Sequence, residues 1–97
     1  MFHKVKEIKP MKKYVLLATF HDDTVKSYDV EPLFEKIKVF CALRDVQGLF
    51  EQVKVDVGGY GISWNDELDL ACDELWYNGV EVPHADKELV SAFSERR

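Results

Sequence analysis

The segment of residues 13–20 limits the folds open to this chain more than any other part of it. In an extended strand, successive side chains point to opposite faces. Here both faces are apolar, with Tyr14, Leu16, Ala18 and Phe20 on one face and Val15, Leu17 and Thr19 on the other. This pattern predicts a central strand that is covered on two sides. The turn residues His21-Asp22-Asp23 and the segment 24–28 then predict a return strand, so that residues 13–28 form a β-hairpin.

A third strand and a helix are predicted on either side of this hairpin. Residues 2–8 read as a strand that ends at Pro10. After the hairpin, Asp29 can cap a helix with Pro32 in its first turn. The apolar stripe of that helix, over residues 33–43, includes Leu33, Phe34, Ile37, Phe40 and Cys41, and Leu43 and Val46 can extend the apolar face into a second short helix that ends near Gly48.

A second hairpin is predicted in the middle of the chain. Residues 50–57 alternate in polarity and pair with residues 60–64 through a turn at Gly58-Gly59. Leu68-Asp69-Leu70 then forms a short extended link.

The last predicted elements are helical. Residues 71–77 form a short helix, closed by Asn78-Gly79 in the left-handed conformation, and Asp86 can cap a final helix over residues 87–94. Taken together, the elements predict an α+β fold, in which two β-hairpins form a small antiparallel sheet with helices packed on one face.

Length and composition favour one cytoplasmic domain. The chain has 97 residues, so we expect a single domain over 1–97 with a helical tail at 84–97.

Cys41 and Cys72 lie among apolar neighbours without C-x-x-C spacing, which predicts buried free thiols in a reducing compartment. Residues 1–10 lack the apolar stretch of a signal peptide, and the longest apolar run is far shorter than the ~20 residues of a membrane span.

Charge is distributed unevenly. Residues 1–20 hold five Lys and one Glu (+4), residues 21–50 four basic and six acidic residues (−2), and residues 51–97 four basic and eleven acidic residues (−7), which gives −5 in total. A net acidic chain argues against direct nucleic-acid binding. Either the acidic half of a dipolar molecule meets a basic partner, or the two ends lie close enough to neutralise each other.

The sequence contains no catalytic constellation. The three histidines, His3, His21 and His84, are isolated, whereas zinc sites usually contain a closely spaced ligand pair. The stretch Gly58-Gly59-Tyr60-Gly61 precedes a predicted strand rather than a helix, which indicates a hairpin turn rather than a phosphate cradle. We therefore expect neither an enzyme nor a bound cofactor.

A cluster of acids leaves an alternative function open. It consists of Asp66, Glu67, Asp69, Asp73 and Glu74. Oxygen ligands suit hard cations, so residues 66–74 could serve a small-molecule or divalent-metal binding domain. The spacing does not match an EF-hand loop, and acids near a helix start are stabilised by the helix dipole, so capping and solvation are the preferred explanation of the cluster.

Large aromatic rings are numerous for so small a core. Trp64, Trp76, Tyr60 and Tyr77 either pack with their polar ends toward solvent or remain exposed and mark a partner surface. A short edge strand, from the N-terminus or near Val80, could in addition pair with its copy in a homodimer.

An ordered set of short motifs connects the chain to a known family. The first half contributes Leu16-Leu17-Ala18-Thr19-Phe20, His21-Asp22-Asp23, Asp29-Val30-Glu31-Pro32-Leu33 and Phe40-Cys41-Ala42-Leu43-Arg44-Asp45. The second half contributes Phe50 with Val53, Val55 and Val57, then Ile62-Ser63-Trp64, Leu68-Asp69-Leu70 and Leu75-Trp76-Tyr77-Asn78-Gly79. Over residues 2–80 this order resembles the bacterial family known as domain of unknown function 2442 (DUF2442), although Asp23 stands where the family often has Gly.

The resemblance implies an interaction role rather than an activity. Similar proteins are often encoded beside a second small protein, in arrangements that look like toxin–antitoxin pairs. This implies a non-enzymatic protein-interaction or regulatory module, the antitoxin-like member of a two-protein system. Some relatives carry a helix-turn-helix module after the domain, for which residues 84–97 are too few, so DNA binding is not implied.

Five residues are the candidate interaction or family-motif positions. Asp29, Trp64 and Asp69 match the family's pattern, and we expect them to act as a helix cap, a core ring and a polar anchor for the irregular link. Trp76 and Tyr77 complete the set as the adjacent aromatic pair.

Overall fold

Two antiparallel sheets, rather than one, form the framework of the protein. The computed structural model describes residues 3–83. A four-stranded sheet has the order β1-β2-β3-β7, with β1 at Val5–Met11, β2 at Val15–Phe20, β3 at Val25–Asp29 and β7 at Val80–Glu81. A three-stranded sheet has the order β4-β5-β6, with β4 at Lys54–Val55, β5 at Gly61–Ser63 and β6 at Asp69–Ala71. The α+β class is confirmed, and the expectation of a single sheet is corrected.

The first hairpin forms as predicted from Val15 onward, whereas Lys13 and Tyr14, predicted to begin the strand, lie in a 3-10 turn with positive φ. Strands β2 and β3 pair antiparallel, with Leu16 opposite Tyr28 and Ala18 opposite Lys26. The alternating side chains Leu16, Ala18 and Phe20 are buried, whereas Val15, Leu17 and Thr19 are half-buried. Within residues 3–83 only one face of β2 therefore lies in the core, which corrects the expected cover on two sides.

Strand β1 begins later and runs further than predicted. It covers Val5–Met11 instead of residues 2–8, and Pro10 lies inside it opposite Leu16. Proline is tolerated there because β1 is an edge strand, so one side of its backbone carries no sheet hydrogen bonds. Both strands predicted to be edges, β1 and β7, occupy the edges of this sheet. The homodimer itself stays a prediction.

The long helix predicted over residues 33–43 is broken. Helix α1 spans Glu31–Lys36, a 3-10 turn follows at Lys38–Cys41, and α2 spans Ala42–Asp45. The break lies at Ile37, whose backbone is extended (φ −133°, ψ 101°). β-Branched residues favour extended backbone, and the break lets Phe40 and Leu43 enter the core while Ile37 stays 44% exposed.

The start of α1 agrees with the predicted capping role of Asp29. Its Oδ1 accepts a hydrogen bond from the Glu31 backbone N–H at 3.1 Å, although Val30 occupies the N-cap position. Pro32 lies in the first turn as predicted. A carboxylate here satisfies one of the helix-start N–H groups that lack an intrahelical partner.

The second hairpin is shorter than predicted and gains a strand. The segment predicted as a strand at 50–57 begins as a 3-10 turn, Phe50–Gln52, because the Phe50 ring is buried there and its carbonyl accepts the Trp64 Nε1–H at 2.9 Å. Only Lys54 and Val55 then pair with β5. The Gly58-Gly59 turn is confirmed. Of residues 68–70, predicted as a short extended link, Asp69 and Leu70 belong to β6 and pair with β5.

Helix α3 confirms the predicted short helix but ends differently. It spans Cys72–Asn78, and Gly79 follows with φ −80°, so the predicted left-handed closure is wrong. Position 79 requires glycine because neighbouring atoms lie too close for a side chain. An added Cβ would collide with the Leu75 carbonyl oxygen and lie 3.0 Å from the Lys26 Cβ. The predictions for His84, Asp86 and the helix at 87–94 lie outside the described residues.

Candidate interaction surface

An aromatic surface lies on α3 beside the N-terminal residues and β3. Helix α3 buries Cys72 and Leu75 in the core, packs the half-buried Trp76 against the core and leaves Tyr77 exposed. His3, which precedes β1, and Lys26 of β3 both contact the Trp76 ring. We call the group His3, Lys26, Trp76 and Tyr77 the Trp76 surface.

Trp76 anchors this surface. The Phe20 ring packs against it at 4.9 Å between ring centroids, with the two planes perpendicular (90°). The His3 imidazole stacks on the indole at 3.7 Å between centroids, with the planes within 1° of parallel. The Lys26 Nζ lies 4.7 Å from the indole centroid, in cation–π range. These contacts hold His3 and Lys26 in place before any partner arrives, which reduces the entropy lost on binding.

The apolar contact area of the surface comes from Tyr77 and the neighbouring Val80. Tyr77 is 69% exposed and Val80 is 70% exposed. The His3 ring meets the Tyr77 ring edge-on at 6.1 Å between centroids, at 84°. Exposed tyrosine beside exposed aliphatic carbon is a composition that is enriched at protein interfaces.

A second lysine–aromatic pair connects the N-terminal segment to Tyr60, the residue before β5. The Lys4 Nζ lies 5.0 Å from the centroid of the Tyr60 ring. Two backbone hydrogen bonds position the pair: His21 N–H donates to the Lys4 carbonyl at 3.0 Å, and Cys72 N–H donates to the Tyr60 carbonyl at 2.8 Å.

A hydrogen-bond network that runs from the core to the surface connects α3 to β3. The Tyr28 hydroxyl donates to Glu74 Oε2 at 2.7 Å, and Asn78 Nδ2 donates to Glu74 Oε1 at 3.0 Å. Burial is the main cause that raises the pKa of Tyr28 above its ordinary value, and the hydrogen bond to Glu74 raises it further. The network ties the helix that carries Trp76 and Tyr77 to β3.

This network predicts a loss of stability at alkaline pH. The folded protein keeps the Tyr28 proton at pH values where the unfolded chain, whose tyrosine pKa is about 10, has lost it. The stabilisation is therefore complete below about pH 10 and is lost as pH rises beyond it. We expect Tyr28→Phe to flatten the fall in unfolding free energy between about pH 9 and 11, as measured by urea denaturation. Equal slopes for Tyr28→Phe and wild type would contradict this assignment, and Tyr77→Phe controls for the loss of an exposed tyrosine.

The other three candidate residues do not join the Trp76 surface. Trp64 is 5% exposed and packs in the core, as expected for a core ring. Asp29 caps the start of α1. Asp69 is exposed in β6 opposite Ser63, so the link it was expected to anchor is a paired strand.

The acids of residues 66–74 do not gather into a metal site. Within residues 3–83 no group of three or more His, Cys, Asp or Glu side chains lies close enough to hold an ion. Glu74 is engaged by Tyr28 and Asn78. The geometry therefore supplies no observation that favours the metal-binding alternative.

The cysteines are free, as predicted. Cys72 is buried as predicted, whereas Cys41, also predicted to be buried, is half-buried. Burial raises the pKa of the Cys72 thiol, which opposes formation of the nucleophilic thiolate. The Cys41 Sγ–H donates to the Phe34 carbonyl at 3.2 Å.

Sequence reasoning identified Trp76 and Tyr77 but missed His3 and Lys26. The two aromatic residues were recognisable as large rings in excess of the core. His3 and Lys26 are far from Trp76 in sequence, and only the packing of α3 against β3 and the N-terminus brings the three together. No local pattern of residue types encodes that contact.

Comparison with known proteins gives one result. The family model described as "Protein of unknown function (DUF2442)" matches residues 5–81. Searches of curated proteins and of solved structures returned no significant match. None of the helices within residues 3–83 is long and apolar enough to cross a membrane.

Proposed function

The chain belongs to the DUF2442 family. From this membership and from the contacts around Trp76, we propose that the protein is a non-enzymatic protein-interaction module that binds a partner protein at the Trp76 surface. The exposed pair of Tyr77 and Val80 beside an ordered His3–Trp76 stack is the observation that carries the proposal. Tyrosine and tryptophan in such positions contribute a large share of binding energy at protein interfaces.

The anchoring of the surface supports binding rather than catalysis. Trp76 is held by Phe20 from the core side, and its indole already contacts His3 and Lys26. A preorganised patch of this kind offers contact area at low entropic cost. Two of the described nucleophilic side chains are engaged: Cys72 is buried, and the Ser63 hydroxyl donates to Asp56 Oδ1 at 2.6 Å.

The proposed partner is the product of an adjacent gene. The arrangement expected for relatives, two small proteins encoded side by side in the manner of a toxin–antitoxin pair, supports this choice. In such a pair the present chain is the antitoxin-like, regulatory member, acting in the bacterial cytoplasm. This finer assignment is a proposal that the following experiment tests.

We expect the chain and the adjacent gene's product to copurify and to form a complex at micromolar concentration by light scattering. Tyr77→Ala should weaken the complex about tenfold or more, because it removes exposed aromatic contact area while leaving the core intact. The dissociation constant is measured by isothermal titration calorimetry.

The control is Val46→Ala. Val46 is 52% exposed and follows α2, outside the Trp76 surface, so its removal should leave the affinity within about twofold. Absence of a complex at micromolar concentration would overturn the choice of partner. Equal weakening by both variants would overturn the choice of surface.

A further inference from the structure

The outward face of the four-stranded sheet is apolar where a solvated face is usually polar. Residues directly opposite each other in an antiparallel pair share a face, and the register places Met11 opposite Val15 and Val25 opposite Thr19. Leu17 lies between Val15 and Thr19 on the same side of β2. We call Met11, Val15, Leu17, Thr19 and Val25 the outer sheet face. Four of these five residues are apolar, whereas the solvated side of an antiparallel sheet normally carries polar residues.

In the described part of the chain, the outer sheet face lies outside the hydrophobic core. All five of its residues are half-buried. Within residues 3–83, neither the core nor the apolar side chains packed against it include Met11, Val15, Leu17 or Val25. Apolar side chains that are gathered on an open face indicate a surface that another segment or molecule covers.

The chain leaves the described residues at an edge of this same sheet. Strand β7 pairs with β3, and the Val82 N–H donates to the Val25 carbonyl at 2.9 Å. Val25 belongs to the outer sheet face. Residues 84–97 therefore start no more than about 7 Å along the chain from a residue that is bonded to that face.

The sequence of residues 84–97 supplies a matching apolar side. In the helix predicted over residues 87–94, Leu89, Val90 and Phe93 lie on one side and Glu88 lies on the opposite side. Such a helix is about 12 Å long, and four strands spaced by about 4.8 Å span about 14 Å. One helix of this length therefore matches the width of the sheet. An isolated helix this short is marginal in water, so its apolar side needs a surface to pack on.

We propose that residues 84–97 form an amphipathic helix that packs Leu89, Val90 and Phe93 on the outer sheet face. Because the connection to β7 is short, the effective concentration of this segment at the face is on the order of millimolar. The segment therefore occupies the face in preference to a second copy of the chain or another protein at micromolar concentration. This inference goes beyond the proposed function and does not depend on the Trp76 surface.

Amide hydrogen exchange of the full chain, resolved by NMR, tests whether the helix is docked. An undocked helix of this length exchanges at nearly the rate of an unstructured chain, so docking should slow the amides of residues 87–94 about tenfold or more. Phe93→Ala should remove about tenfold of that protection, because it removes the largest side chain of the apolar side. Its matched control, Glu88→Ala, shortens a side chain on the opposite side and should change the protection less than about twofold.

A second pair of variants locates the docking surface. Leu17→Ala changes the outer sheet face and leaves the core intact, so it should lower the protection of residues 87–94 about tenfold. Ile37→Ala truncates an exposed aliphatic side chain outside that face and should change the protection less than about twofold. The amides of β5, in the other sheet, report in each variant whether the protein as a whole has been destabilised.

Three results would overturn the inference. The first is exchange of residues 87–94 at the rate of an unstructured chain in the wild-type protein. The second is protection that falls in Phe93→Ala but not in Leu17→Ala, which would place the helix on another surface. The third is protection that is lost on dilution from about 1 mM to about 10 µM, which would make a second copy the source of the contact. Each is measured without a partner protein and is therefore independent of the proposed function.

Discussion

The Gly59→Ala variant is expected to lose about 3 kcal/mol of unfolding free energy, from about 1–2 kcal/mol for placing alanine at positive φ and about 1–3 kcal/mol for overpacking. Gly59 has φ +79°, and an added Cβ would lie 2.6 Å from the Val5 carbonyl oxygen. That oxygen belongs to β1, so the clash forces apart the turn after β4 and the edge of the four-stranded sheet. Urea denaturation followed by circular dichroism measures the loss.

Gly48→Ala is the matched control for this variant. Gly48 has a similar φ of +82° but no heavy atom within 4 Å of an added Cβ. It should cost about 1 kcal/mol, since only the backbone strain remains and the alanine also lowers the entropy of the unfolded chain. Equal losses for the two variants would show that the close approach to Val5 plays no part in stability.

Trp64→Ala is expected to destabilise the protein by about 3–5 kcal/mol, the usual cost of removing a buried tryptophan. The indole is 5% exposed, contacts the Phe40 and Phe50 rings, and donates its Nε1–H to the Phe50 carbonyl at 2.9 Å. Trp64→Phe keeps most of the ring volume and loses the donor, so it should cost about 1–3 kcal/mol for the unsatisfied carbonyl.

The two Trp64 variants also separate a structural role from a binding role. Folded Trp64→Phe protein should bind the partner as wild type does, because Trp64 lies outside the Trp76 surface. A Trp64→Ala protein that unfolds at the wild-type urea concentration but no longer binds would contradict the assignment of Trp64 to the core.

The first hairpin was predictable because several independent patterns agree over residues 13–28. The alternation of apolar residues, the acidic turn and the return strand all specify the same pairing, and the structure has it in β2 and β3. What the pattern could not specify was the burial of the second face. Val15 and Leu17 are apolar, yet the helices and the second sheet pack against the Leu16 side.

The errors in the helix and in the second hairpin have a common cause. A stripe of apolar residues over 33–43 fits one continuous helix as well as two short ones separated by Ile37, and only the demands of core packing distinguish them. Likewise Val53, Val55 and Val57 alternate as strand residues do, but Val57 is fully exposed in a turn. Local periodicity does not record which neighbours are available to cover a side chain.

Only the aromatic part of the candidate surface could be predicted from the sequence. Trp76 and Tyr77 stood out as rings that a small core could not readily bury, whereas the lysine that contacts the Trp76 ring carried no distinguishing pattern. Lys26 faces the Trp76 ring because β3 pairs with β2 in one register and α3 packs beside it, so its role depends on tertiary contacts alone.

Hydrogen–deuterium exchange of the chain with and without the adjacent gene's product tests the central claim most directly, because it maps the footprint of the partner on the protein. The account predicts slower exchange at the residues after His3, in β3 around Lys26, and over residues 76–81. Protection confined instead to residues 37–46, which contain the exposed aliphatic side chains Ile37, Val39 and Val46, would contradict the assignment of the Trp76 surface as the binding site.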